Sequence, residues 1–291
     1  MLDDVNQLFD FVLKESLGSA TILEDAFIQS AGHINTIAKL QTNKGVFILK
    51  WNHEELSPYK EEFKGLQLLD SLSQFKVPEP LHFGSNLSVN YLLMEFIPET
   101  PKTIKFWINL AESLATLHAQ SNTHFGLDHD NYIGALPQSN KFHDNWIDFF
   151  INERLEPQIG LAYYEGLVDL SYLKNFQRIY PKLPTLIPKE LPALLHGDLW
   201  SGNILATGDD MPALIDPAVY YGHREMELAF TKLFGGFESI FYATYSEIFP
   251  LQSGFQIREE IYLLYPLLVH ANSFGPSYLT KVSHILKKYL G

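Results

Sequence analysis

The sequence predicts an α+β protein of two lobes, an N-terminal antiparallel sheet accompanied by a helix and a larger, mainly helical C-terminal part. Three observations carry this expectation. Runs rich in apolar and β-branched residues, separated by turn residues, crowd the first hundred positions. A proline-bounded connector, Ile97-Pro98-Glu99-Thr100-Pro101-Lys102, ends that pattern. Beyond it, apolar residues recur mostly at helical spacing. The lobe boundary is therefore placed at 97/98, dividing the chain into 1–97 and 98–291.

Val5, Leu8, Phe9, Val12 and Leu13 predict an amphipathic helix that ends near Gly18. Strands are expected over 20–28, 34–40 and 46–50, the last entered through the turn Thr42-Asn43-Lys44-Gly45. Between the first two lies Ser30-Ala31-Gly32-His33, whose backbone N–H groups could cover phosphates, which makes Gly32 a candidate nucleotide contact. An ordinary hairpin fits that segment equally well. Side chains alternate along a strand, so Lys50 shares a face with Ile48 and Val46, and a lysine there calls for an anionic partner. Ser57-Pro58 opens a helix with an apolar stripe of Tyr59, Phe63, Leu66 and Leu69. Glu62 lies one turn before Leu66 and shares its inward side, whereas Glu61 is expected to turn away. Val77-Pro78 ends that helix, and strands near 80–83 and 91–96 follow. Met94, Glu95 and Phe96 then fall at the mouth of the connector, where a nucleotide cleft between the lobes would lie.

Trp107, Leu110, Ala111, Leu114, Leu117 and His118 form one buried helical face, with His118 read as a core histidine. The loop from His124 to Gly134 holds two histidines and two aspartates but no clear chelating spacing, and is read as a wall of an acceptor site rather than a metal site. A helix is expected over 145–155, a proline-punctuated stretch over 176–188, and several helices from Arg224 onward.

Composition narrows the function classes. With 21 basic against 34 acidic residues, the net charge of −13 opposes extended association with nucleic acid or an anionic membrane. The absence of cysteine excludes disulfides, thiolate catalysis and cysteine-based zinc sites. The N-terminus has no basic flank and no continuous apolar core of a signal peptide, so a cytoplasmic protein is expected.

The chemistry concentrates in His196-Gly197-Asp198-Leu199-Trp200-Ser201-Gly202-Asn203, followed thirteen residues later by Asp216. Phosphoryl transfer from ATP needs one carboxylate to accept the acceptor's proton, and an amide and a second carboxylate to hold Mg2+ against the phosphates. The spacing matches the kinase catalytic loop H-x-D-x-x-x-x-N, with Asp198 as base, Asn203 as a metal ligand and Asp216 as the main metal ligand. Lys50 and Glu62 match the pair that aligns a lysine on the α- and β-phosphates. The alternatives are a polar turn between two short strands and a pair of surface charges. Pro217 and a helix start near Arg224 leave little room for a long, switchable activation loop.

Longer motifs sharpen the picture. Leu195 to Asn203, Asp216-Pro217-Ala218-Val219-Tyr220-Tyr221-Gly222-His223-Arg224-Glu225 and Leu233-Phe234-Gly235-Gly236-Phe237 resemble the fructosamine kinase, or ketosamine-3-kinase, family. Asp130-Asn131-Tyr132-Ile133-Gly134, Pro137-Gln138 and Arg154-Leu155 resemble its middle region, and the likeness runs from about Gly32 to the C-terminal helices. The resemblance implies the protein-kinase-like fold shared with aminoglycoside and choline phosphotransferases. It also implies ATP- and Mg2+-dependent phosphorylation of the third-carbon hydroxyl of glycated amines, free or protein-bound, whose unstable product then leaves the amine. Asn131, Trp200 and His223, each inside one of these motifs, are the candidate substrate residues. Three positions depart from the family: Ala31-Gly32 where many relatives have two glycines, His33 where some have cysteine, and Glu227 where aspartate is usual. The last is expected to affect helix packing more than chemistry. A kinase of another small alcohol, such as an aminoglycoside or choline-like compound, and a non-catalytic nucleotide-binding module are the competing readings.

Overall fold

The computed structural model describes residues 2–31, 35–53, 57–86 and 89–291. Its order is α1 (Leu2–Leu17), β1 (Leu23–Ala31), β2 (Asn35–Thr42), β3 (Gly45–Asn52), α2 (Tyr59–Leu72), β4 (Pro80–Asn86) and β5 (Val89–Glu95), then α3 (Ile104–His118) and a short hairpin of β6 (Asn131–Ile133) and β7 (Leu136–Gln138). Next come α4 (Trp146–Phe149), α5 (Glu156–Tyr164), α6 (Leu170–Ile179) and α7 (Leu183–Leu186), then β8 (Ala193–Leu195), β9 (Ile204–Ala206), β10 (Pro212–Leu214) and β11 (Tyr220–Gly222). The chain finishes with α8 (Arg224–Phe230), α9 (Ser239–Ile248), α10 (Phe255–Tyr262), α11 (Leu264–Phe274) and α12 (Leu279–Leu290). Among the described residues no helix is long and apolar enough to cross a membrane.

The first five strands form one antiparallel sheet in the order β1-β2-β3-β5-β4, so the three strands expected before α2 are joined by the two expected after it. Alternation gives the sheet two different faces. Leu49, Trp51, Tyr91 and Leu93 pack with Leu8, Phe9, Val12 and Leu13 of α1. The opposite face puts Leu92 and Met94 into a second cluster with Leu66 and Leu69 of α2, and this cluster continues into the helical part. Lys50 sits opposite Leu92 in the register, and therefore on the face that looks toward the helices.

Two stretches differ from expectation. Residues 145–155 are not one regular helix, because α4 passes into a π-helical turn over Phe150–Leu155 before α5, which carries Pro157 in its first turn. The stretch 176–188 is largely helical, since α6 runs to Ile179 and prolines 181 and 184 fall in first turns, where no N–H is missed. Sheet gives way to helix between Glu95 and Ile104, the span that contains the expected lobe boundary.

Candidate active site

Two short antiparallel strand pairs, one enclosing the other along the chain, deliver the acidic residues. β8 pairs with β11 and β9 with β10, which brings the turn after β8 beside the turn after β10. Gly197 adopts φ +87°, and a Cβ there would collide with the Ala218 carbonyl, so the close approach of the two segments requires glycine. Beyond it, Asn203 Nδ2 donates to the backbone oxygen of Asp198 at 2.8 Å and to its Oδ2 at 3.0 Å. The amide nitrogen is thereby committed to the aspartate, and the amide oxygen is the atom that remains to face a cation. Asp216 is held at φ +56°, a left-handed conformation that a residue before proline adopts only under constraint from its surroundings.

Lys50 is the positive centre. Its Nζ donates to Glu62 Oε1 at 2.6 Å and also to Asp216 Oδ1. Burial works to lower the Lys50 pKa, but Asp216 and Glu62 together hold it well above the ordinary lysine range. Burial raises the Glu62 carboxyl, against the pull of Lys50. Asp198 is pushed up to about 7, first by burial and then by the Asp216 charge. Carboxylates poised in this way in a cleft are typical of general bases.

Two cavities meet at Lys50 and Asp216. One, of about 410 Å³, is lined by Ile48, Met94, Glu95 and Phe96, as the sequence suggests, and also by Ile37, Ile97, Leu205 and Ile215. Its walls are mainly apolar and its Lys50 end is charged, which suits a flat base with a polyphosphate tail. Leu205 and Ile215 were missed because nothing in short apolar runs marks them as cleft floor rather than core. Gly32 lies outside the described residues. The second cavity, about 100 Å³, is lined by Asp198, Asp216, Lys50, Glu61, Glu62, Asn131, Tyr132 and Gly134. Glu61 was expected to turn away; it does leave Lys50 to Glu62, yet it faces this second cavity rather than open solvent.

The candidate substrate residues separate. Asn131 lines the second cavity, but its amide is consumed internally: Nδ2 donates to the Val219 oxygen at 2.8 Å, while Oδ1 accepts from Gln138 and Asn140. Arg154, fully buried against the Tyr220 ring, donates to Asn140 Oδ1, and Tyr265 donates to Gln138, so the β6–β7 hairpin is clamped as a rigid wall. Trp200 is half-buried against Phe234 and the face of Gly202, and it does not line the second cavity. His223 is corrected to a structural role. It is fully buried, its Nδ1 accepts from the Glu225 amide as the N-cap of α8, and its Nε2 donates to the Pro188 carbonyl.

Glu227 also does more than the sequence suggested. From α8 its Oε1 accepts from the Gly197 amide at 2.7 Å, and its Oε2 accepts from the His196 amide at 3.1 Å and from His118 Nε2 at 3.0 Å. Burial works to raise its pKa, but His118, His196 and the Gly197 amide outweigh it and hold the carboxylate ionised. His118 is a core histidine, with Tyr245 on its other nitrogen. The residue is thus the anchor of the catalytic loop, a role that spacing along the chain does not reveal.

Asn203 and Asp216 offer one neutral oxygen and one carboxylate. Mg2+ commonly takes one or two carboxylates and completes its shell with phosphate and water, so this pair fits it. Among the described residues no group of three or more histidine, cysteine or acidic side chains forms an all-protein metal cage.

The sequence profile of the fructosamine kinase family matches residues 5–291. A probable ketoamine kinase of Enterococcus faecium is 38% identical over 261 residues, covering 89% of this chain and 92% of that protein. The chloroplastic protein-ribulosamine 3-kinase of Arabidopsis thaliana is 33% identical over 290 residues, covering 97% and 86%. Among solved structures, a candidate fructosamine-3-kinase from Haemophilus somnus superposes with a TM-score of 0.88 at 28% identity, over 97% of each chain. The aminoglycoside phosphotransferase APH(4)-Ia, at 15% identity and a TM-score of 0.66, shares the fold.

Proposed function

We propose that this chain, which belongs to the fructosamine kinase family, transfers the γ-phosphoryl group of ATP to the third-carbon hydroxyl of ketosamines such as fructosamines or ribulosamines, and so begins their removal from amines. The observation that carries the reading is that Asp198 lines one cavity with Lys50 and Asp216, while the same lysine and aspartate close the polar end of the adjoining, mainly apolar cleft. Residues 1–97 act as the nucleotide lobe and 98–291 as the catalytic and acceptor lobe. Ile48, Met94, Glu95 and Phe96 border the base, and Lys50, oriented by Glu62, steers the α- and β-phosphates.

Asn203 and Asp216 would hold magnesium, which supplies charge neutralisation between the phosphates. Asp198 accepts the acceptor hydroxyl's proton as its oxygen bonds to the γ-phosphorus and the bond to the ADP oxygen breaks. The clamped β6–β7 hairpin keeps the acceptor wall in place while this happens. Glycated amines, free or on proteins, are the partners.

Mass-spectrometric screening of ATP-dependent phosphorylation across ribulosamines, fructosamines, aminoglycosides and choline tests the proposal. Phosphorylated ketosamine that goes on to release its amine is expected. Turnover of an aminoglycoside or choline alone would move the assignment to another small alcohol.

A further inference from the structure

The acceptor cavity holds more negative charge than phosphoryl transfer requires. Asp198 and Asp216 are used by the chemistry, and Glu62 is paired with Lys50. Glu61, the fourth carboxylate in the lining, makes neither an ion pair nor a hydrogen bond among the described residues, and Lys50, the one cation in the lining, is already shared between Glu62 and Asp216.

The direction of Glu61 follows from the way α2 is seated. Gly65 lies one turn further along the helix and presses against the segment after Asp216: a Cβ at Gly65 would stand 3.3 Å from Pro217 and 3.5 Å from Val219. Residues four apart share a helix face, and helical side chains lean toward the N-terminus. The stripe that contacts Pro217 through Gly65 therefore carries Glu61 over the acceptor cavity. Tyr132, on the facing hairpin, registers that charge: burial and then Glu61 push its phenol up.

We propose that Glu61 is the specificity residue that recognises the protonated amine of the acceptor. The assignment rests on the ketosamine reading above. In a ketosamine the nitrogen is on the first carbon, two carbons from the reacting hydroxyl, and an alkylamine is cationic at neutral pH. A hydroxyl that reaches Asp198 inside this cavity brings the nitrogen, two carbons away, within the same lining, to which Glu61 belongs. A carboxylate in that lining with no partner among the described residues favours the cation and disfavours a neutral or acidic substituent. The two neighbouring glutamates then divide the labour, Glu62 serving the nucleotide through Lys50 and Glu61 serving the acceptor.

The test compares kcat/KM for a lysine ketosamine with that for its N-acetylated analogue, whose nitrogen carries no charge. The wild-type enzyme should prefer the amine. Glu61→Gln should lower that preference about tenfold, chiefly through the acceptor KM, as expected for one charge-assisted contact in a half-exposed position. Glu61→Asp should recover part of the preference, which separates recognition of charge from support of the helix. An unchanged ratio in Glu61→Gln, or a rise in the KM for ATP like that expected of Glu62 variants, overturns the assignment while leaving the kinase reading intact. A wild-type enzyme that phosphorylates no ketosamine overturns both.

Discussion

Two acidic groups flank the catalytic loop, and they are satisfied to very different degrees. On the cleft side Lys50 divides one ammonium between Glu62 and Asp216, the Asp216 side chain is 41% exposed, and Asp198 stands next to Asp216 with no cation of its own among the described residues. Beneath the loop, Glu227 is 1% exposed and every contact it makes is to a hydrogen-bond donor, two backbone amides and a histidine. The carboxylates proposed to meet a cation and to accept a proton are left under-compensated, and the left-handed backbone at Asp216 stores conformational cost in the same place. The anchor is fully satisfied, because a partly satisfied buried carboxylate there would loosen the loop it holds.

The largest effect should come from the under-compensated side. Asp198→Asn removes the proposed proton acceptor and should lower turnover by about 10²- to 10⁴-fold. It should leave nucleotide binding in place, so that ATP with magnesium at about a hundred times its dissociation constant still adds roughly 2.7 kcal/mol to thermal stability. Asp216→Asn should weaken both the magnesium dependence and the nucleotide affinity. If Asp198→Asn abolishes metal-dependent binding while Asp216→Asn spares it, the two roles must be exchanged.

The anchor should fail through stability. Glu227→Ala leaves the amides of His196 and Gly197 and the ring of His118 without their acceptor in a sealed interior. Loss of one side of a buried charged network typically costs about 3–5 kcal/mol, which a denaturant midpoint would register. A variant as stable as the wild type with an unaltered rate would mean that the backbone turn after β8 holds itself.

Glu62→Ala should fall lower on the scale. Asp216 still binds Lys50, so the lysine keeps its charge and one of its two restraints. Turnover should drop about tenfold, with a raised KM for ATP, against a far larger loss in Lys50→Ala.

These contrasts show what a linear reading can reach. The fold class was legible because alternation at Val46, Ile48 and Lys50 and helical periodicity at Tyr59, Leu66 and Leu69 are local. The pairing of Lys50 with Glu62 was legible for the same reason, each residue having its face fixed by its own element. Glu227 and the Asn131 amide nitrogen were not, since their roles lie in hydrogen bonds to residues 30 or more positions away. Nor was the face of Glu61, which depends on Gly65, a residue that adds nothing to a hydrophobic stripe yet sets where α2 touches Pro217. His223 misled in the opposite sense. A histidine inside a specific motif suggested a substrate contact, whereas both ring nitrogens are spent on capping and backbone.

The smallest effect returns to Asp198, in the protein without metal or nucleotide. A carboxyl whose pKa is raised on folding holds its proton more tightly in the native state than in the unfolded chain. Stability therefore falls as pH rises between the ordinary carboxylate range, ~4, and the folded value, about 7. Asp198→Asn removes that burden, and its amide oxygen can still accept from Asn203 Nδ2. The variant should gain little at pH 4 to 5, where the native carboxyl is protonated. The gain should grow up to about pH 7 and then level off, reaching about 1 kcal/mol, or roughly 2–4 °C in Tm, for this half-buried group. Thermal unfolding of the two proteins across pH 4.5 to 8.5, with chelator present, measures it. A gain independent of pH would place the strain in the shape of the loop rather than in the charge of Asp198. A loss at every pH would mean that the carboxylate is better compensated by Asn203 than its neighbour Asp216 implies.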